Sequence, residues 1–118
     1  EVWPNSISQG DELNPTVSSM LNEFHVKAEQ RGAAVFMLPP AIVESFYVYE
    51  KTQEEIEAVF SLITKQSTIE FLANPGDYVF PSRYFFDTVY HLNSEGRRVR
   101  SEMIVEDLEL SQAHVVQK

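Results

Sequence analysis

A short apolar run at residues 33–38, Ala-Ala-Val-Phe-Met-Leu, lies between Gly32 and the double proline Pro39-Pro40. A continuous apolar stretch of that length reads as a strand buried on both faces, the form strands take in parallel sheets covered by helices. Neither proline can donate a ladder hydrogen bond, so the strand must end there. What precedes it reads as a helix. Asn14-Pro15 fits an N-cap followed by proline at the first helical position, where the missing N–H has no intrahelical partner to lose. Val17, Met20, Leu21, Phe24 and Ala28 then share one helical face, and Gly32 stands where a left-handed C-terminal cap is wanted. The spacing predicts a helix over 15–31 with that stripe packed inward.

The alternation continues. Thr52-Gln53-Glu54-Glu55 matches a capping box, and Ile56, Val59, Phe60 and Ile63 supply an apolar stripe for a helix over 53–66. Residues 68–72 read as a second strand, followed by a turn at Asn74-Pro75-Gly76-Asp77 and a loop to Arg83. The aromatic segment 41–51 suggests a helical turn beside a cleft. Asn93 or Ser94 can cap a last helix over 94–110 carrying Val99, Met103, Ile104 and Leu108, with a fraying polar tail from Ser111. Helix and strand in alternation with tight connections imply an α/β chain with a short parallel sheet and right-handed crossovers. Residues 1–14 read as an irregular lead-in in which Trp3 packs. There is no internal repeat, and 1–118 reads as a single domain.

Composition narrows the functions. At 43% hydrophobic and 12% aromatic, the chain is too apolar for a disordered acidic tail. The absence of cysteine removes disulfides, Cys-ligated zinc and thiol nucleophiles together. Eighteen Asp and Glu against nine Lys and Arg argue against a nucleic acid partner, which requires clustered cations. Arg97-Arg98-Val99-Arg100 is flanked by acids and reads as a solvated helix face. Apolar runs fall far short of the ~18–20 residues of a membrane span, and no basic segment leads into one as a signal peptide would. The chain opens on Glu1 rather than Met, and the expectation is a piece of a longer protein.

Chemistry concentrates at Asp87 and His91. On a helical turn these lie at i and i+4, so the carboxylate can accept from one imidazole nitrogen and leave the other as a base. Such a base suits a hydroxyl nucleophile, from which it takes a proton that it returns to the leaving group. The same spacing also serves an ordinary surface hydrogen bond that pins a loop. His25 borders the apolar stripe of the first helix, and His114 lies in the tail; no spacing among the three histidines signals a metal site. Phe46, Tyr47, Tyr49, Tyr84, Phe85 and Tyr90 serve either as core or as the lining of a sugar-binding cleft.

The string Phe86-Asp87-Thr88-Val89-Tyr90-His91-Leu92-Asn93-Ser94-Glu95-Gly96, followed by an Arg-containing helix, resembles the last block of the SGNH (GDSL-like) hydrolase superfamily. There an Asp and a His precede Leu-Asn and a glycine that opens the final helix. The first helix, the 33–38 strand and Pro39-Pro40 are similar to the late helix, strand and loop of that family, so the resemblance covers about residues 15–110. It implies the C-terminal part of a three-layer α/β/α, flavodoxin-like domain. It also implies His91 as general base and acid, Asp87 as its orienting carboxylate, acyl-ester hydrolysis or O-acyl transfer on an extracytoplasmic carbohydrate, and no cofactor or metal.

Two departures stand out. The usual block is Asp-x-x-His, whereas three residues separate Asp87 from His91, a spacing similar to that of envelope-polysaccharide-modifying relatives. The family's nucleophile lies in an early Gly-Asp-Ser, but Gly10-Asp11 is followed by Glu12, and no apolar strand precedes it. Nucleophile and oxyanion donors are therefore missing, and the chain alone is expected to be inactive. Ser45 and Ser82 are the candidate substitutes. Two other readings compete: a non-catalytic domain binding glycan or protein through its aromatic surface, and a homo-dimer joined through exposed strand edges.

Overall fold

A computed structural model describes residues 12–49 and 51–116, with side chains as far as 112. Trp3, Gly10-Asp11 and the rest of the lead-in to residue 11 lie outside the described residues, as does the side chain of His114. In chain order the elements are α1 (Pro15–Gln30), β1 (Phe36–Met37), β2 (Ile42–Val43), α2 (Glu44–Tyr47), α3 (Thr52–Gln66), β3 (Glu70–Phe71), β4 (Val79–Phe80) and α4 (Ser94–Val116). Single 3-10 turns occupy Pro75–Tyr78 and Ser82–Tyr84. The architecture is mixed helix and strand with two short parallel two-stranded sheets, compatible with α/β. Two compact units divide the chain, Glu1–Met37 with Glu50–Phe71 and Leu38–Tyr49 with Leu72–Lys118.

In the first unit, α1 starts and stops as its sequence dictates. The Asn14 side chain accepts from the Thr16 amide at 2.9 Å, and Pro15 is the first helical residue. At the other end Gly32 takes φ +81°, and the Ala33 and Gly32 amides reach back to the carbonyls of Ala28 and Glu29. This is the paired C-terminal closure that a left-handed residue permits. The buried stripe expected on α1 is corrected: Met20 is 65% and Phe24 58% exposed, and Val17 is exposed with them. Specific hydrogen bonds decide which face turns inward. Asn22 Oδ1 accepts from the Thr68 amide at 2.9 Å, Asn22 Nδ2 donates to the Gln66 carbonyl at 3.2 Å, and His25 Nδ1 meets Thr68 Oγ1 at 2.8 Å.

Strand β1 pairs in parallel with β3, Phe36 opposite Glu70 and Met37 opposite Phe71, within the two segments the apolar runs marked. Phe60 of α3 packs its ring 4.4 Å from that of Phe71. The expected capping box is not made: α3 begins at Thr52, one residue early, with Lys51 at the cap and no side-chain bond there. The Thr52 side chain is buried instead.

The second unit holds the sheet that the sequence did not reveal. β2 and β4 run parallel with Ile42 opposite Val79 and Val43 opposite Phe80. Ala41, Tyr78 and Phe80 form the buried centre, closed by Leu92 and by Val99, Met103 and Ile104 of α4. Helix α4 runs to Val116, past the expected end at 110, since no glycine or proline interrupts it. Tyr78 is wholly buried, and its hydroxyl donates to Asp107 Oδ2 at 2.5 Å. The Arg100 guanidinium sits over the same ring, 5.7 Å from its centroid, and donates to the Pro39 carbonyl at 3.3 Å.

Burial, then the hydrogen bond and negative charge of Asp107, push the Tyr78 phenol well above its ordinary range, with Arg100 opposing. A phenol raised by folding contributes stability that is present below its unfolded value of about 10 and lost as pH rises through the folded value. Denaturant melts should therefore show Tyr78→Phe costing roughly 1.5–3 kcal/mol at neutral pH, the worth of a hydrogen bond to a charged group. Between pH 9 and 12 the variant should lose less stability than the wild type. Equal alkaline losses in the two proteins would remove Tyr78 as the cause.

Candidate active-site loop

Asp87 and His91 lie in a loop of the second unit whose ends are tied before its tip is shaped. After β4, Pro81 leads into the 3-10 turn Ser82–Tyr84, and Phe85 then forms an antiparallel bridge with Leu92. The Phe86 amide donates to the His91 carbonyl at 3.1 Å, and the Asn93 amide to the Tyr84 carbonyl at 2.7 Å. Residues 86–90 between these ties are a succession of bends. The segment is thus a closed loop and not the helical turn on which an i, i+4 pair would face one another, and closure rather than helical phase makes Asp87 and His91 neighbours.

Asn93 is the residue on which both the loop and α4 converge. Its Oδ1 accepts from the Gly96 amide at 2.9 Å, which caps the helix, while its Nδ2 donates to the Arg83 carbonyl at 2.6 Å. Its own carbonyl accepts from the Arg97 amide at 2.9 Å, and Arg97 Nη1 reaches the Leu92 carbonyl at 3.2 Å. Gly96 is buried, and nothing larger fits there: a Cβ on it would lie 2.5 Å from the Tyr84 carbonyl oxygen and 2.9 Å from Tyr84 Cβ.

The tip of the loop is fastened to β2. The Val43 amide donates to the Val89 carbonyl at 3.1 Å, and Tyr90 meets Phe46 edge to face with ring centroids 6.1 Å apart. Val43 is the last residue of its strand, so the loop lies at the carboxyl end of a parallel strand. In open α/β sheets ligands bind at that end.

Within the loop His91 Nδ1 lies 2.8 Å from Asp87 Oδ1. An ionised carboxylate only accepts, so Nδ1 carries the hydrogen, and in the neutral ring Nε2 offers its lone pair. No partner for Nε2 occurs among the described residues. The Phe86 ring stacks on the imidazole at 5.9 Å and 28°. Thr88 Oγ1 accepts from the amides of Tyr90 at 3.2 Å and His91 at 3.1 Å. The sequence did not mark these last two contacts. A threonine followed two and three residues later by exposed amides is a turn signal, though a weak one.

The pair is open to water, with 59% of the His91 and 52% of the Asp87 side chain exposed. Half-exposed ion pairs are worth about 0–1 kcal/mol. The Asp87–His91 contact is therefore a product of the loop's path, and that path must be set by the backbone ties.

The other candidates are placed as follows. His25, 13% exposed, engages both nitrogens, Nδ1 with Thr68 Oγ1 and Nε2 with Glu29 Oε1 at 3.1 Å, so it is a structural tie. Ser45 and Ser82 are exposed on the segments that follow β2 and β4, and neither hydroxyl is hydrogen-bonded to His91. Among the described residues no cluster of three His, Asp or Glu could hold a metal ion.

If the clearance at Gly96 seats α4 against the loop, Gly96→Ala should lower stability by about 1–3 kcal/mol, the usual cost of forcing a methyl into a filled site. A shift of the denaturation midpoint with unchanged slope would register it, and an unshifted midpoint would contradict the tight fit. No protein-family model, no curated protein and no solved structure matches this chain.

Proposed function

We propose that this chain supplies the His/Asp portion of an SGNH-like acyl-ester hydrolase or O-acyltransferase acting on carbohydrate, within a longer protein that carries the nucleophile. On this reading its two parallel strand pairs belong to a three-layer α/β/α domain. The observation that carries it is the 2.8 Å contact of His91 Nδ1 with Asp87 in a loop at the carboxyl end of β2. His91 Nε2 takes the proton of a serine hydroxyl as that oxygen attacks the acyl carbon, and returns it to the departing alcohol. Asp87 holds the ring in the tautomer that leaves Nε2 basic, and its charge favours the imidazolium formed midway. The serine and the oxyanion donors come from sequence other than this chain, in which Gly10-Asp11 leads to Glu12.

A second reading has a specific observation in its favour. Phe86 is 66% exposed beside His91, with Tyr90 also on the surface, and such aromatic faces suit a non-catalytic glycan-binding or protein-binding domain.

The two readings separate on the upstream reading frame and one assay. This chain alone should hydrolyse p-nitrophenyl acetate no faster than buffer. With upstream sequence bearing Gly-Asp-Ser behind an apolar strand, the full protein should act as an esterase, and His91→Ala should lower kcat by about 10²- to 10⁴-fold, the usual contribution of a general base. An upstream sequence without that motif, together with glycan binding lost in Phe86→Ala, would establish the binding module instead. Turnover by this chain alone that vanishes in His91→Ala would place the nucleophile inside it and overturn the division proposed.

A further inference from the structure

We propose that Thr88 is a positioning residue for His91, holding the imidazole so that Nδ1 stays on Asp87 and Nε2 is presented outward; its use in catalysis rests on the function proposed above. The loop has to bring two side chains together in water without burying either, and their mutual attraction is screened there. Its bends provide no ladder of hydrogen bonds from residue to residue. The amide of His91 donates to Thr88 Oγ1, which also receives the amide of Tyr90. One hydroxyl thus fixes the backbone of the residue that carries the imidazole and of the residue before it. Thr88 follows Asp87 directly, so the same peptide segment that presents the carboxylate presents the acceptor. The two partners of the pair are thereby linked through two adjacent backbone pairs, Asp87-Thr88 and Tyr90-His91.

The remaining ties act elsewhere. The Phe86 amide holds the His91 carbonyl, and the Val43 amide holds the Val89 carbonyl; these fix the loop's waist and its seat on β2. The Phe86 ring limits the tilt of the imidazole through stacking, without choosing which nitrogen meets the acid. Among the described residues the Thr88 bonds are the ones that hold the N–H side of His91, and with the Phe86 tie on its carbonyl they set the direction in which its Cα–Cβ bond leaves the chain. A rotation there would swing Nδ1 away from Asp87 and return the ring to the tautomer it prefers in water.

Nitrogen-15 spectra of the imidazole above its titration test this in the chain as it stands. Wild type should show Nδ1 as the protonated nitrogen of the neutral His91 ring, and Asp87→Ala should move the proton to Nε2. Thr88→Val, which keeps the shape and removes the acceptor, should behave like Asp87→Ala while its core resonances from Tyr78 and Phe80 stay in place. Thr88→Ser, which restores a hydroxyl, should regain the wild-type signature. The Tyr90 and His91 amides of the wild type should exchange slowly relative to the other loop amides, a measurement that needs no variant to fold. Retention of the Nδ1–H form in Thr88→Val, or unprotected Tyr90 and His91 amides in the wild type, overturns the role of Thr88 and leaves the base pair itself intact. A wild type already protonated at Nε2 overturns both the role and the base pair. An inactive full protein whose His91 shows all the expected signatures overturns the proposed function alone.

Discussion

Asn93 commits every polar group it has to one junction. Its amide holds the Tyr84 carbonyl, its side-chain nitrogen the Arg83 carbonyl, its side-chain oxygen the Gly96 amide and its carbonyl the Arg97 amide. One residue therefore closes the loop behind it and opens the helix ahead of it, and the loop's exit and the helix's rotation are fixed together. The consequence runs down α4. Gly96, Val99, Met103 and Asp107 recur at three- and four-residue steps, so they share a face. Setting the rotation at Gly96, which packs on Tyr84, aims Val99 and Met103 at the core and brings Asp107 to the Tyr78 hydroxyl. The buried phenol and the exposed imidazole are in this sense outcomes of the same cap.

What the junction does not provide is a low dielectric at the pair. With both side chains more than half exposed, the Asp87 charge orients the imidazole but is screened by water. The electrostatic advantage that preorganised donors confer on acyl transfer arises in sites from which water is excluded. On the proposed function, an exposed base and orienter supply the directional part of such chemistry, and substrate or further protein supplies the covering surface. Among the described residues no serine is bonded to His91, in keeping with the proposal that the pair is a portion of a site.

How much of this could be read in the sequence depended on how local the cause was. The N-cap at Asn14, proline at the first helical position and the left-handed Gly32 each involve residues within a few positions of one another, and each was legible, as was the cap of α4 down to a choice between Asn93 and Ser94. Two strands on either side of a helix were legible from the two apolar runs, but their register was not. The inward face of α1 was not legible, because counting apolar residues favours Val17, Met20 and Phe24, whereas Asn22 and His25 find partners at Gln66 and Thr68, more than forty positions away. The box expected at Thr52 failed in favour of burying the threonine, while at Asn74 the Asp77 carboxylate receives the Asn74 amide at 3.1 Å. Strands of two residues, such as β2 and β4, leave no alternation to count. The Asp87–His91 contact was legible as a spacing, but its basis was not, since the loop that creates it depends on Thr88 and Asn93 contacts that no periodicity reports.

Two histidines in this chain each have an acid four residues away, and they show why spacing alone cannot assign chemistry. His25 meets Glu29 through Nε2 and Thr68 through Nδ1, on a helix, with little of its side chain exposed. Both nitrogens are occupied, Nδ1 by the segment after α3 and Nε2 by a residue of α1 itself. His91 meets Asp87 through Nδ1 only, in a loop at a strand's carboxyl end, and among the described residues nothing takes Nε2. The first arrangement can hold two segments together and can do little else. The second leaves one nitrogen available to a molecule that is not part of the chain, and this difference in valence, more than the shared i, i+4 pattern, makes His91 the residue on which a function can be built.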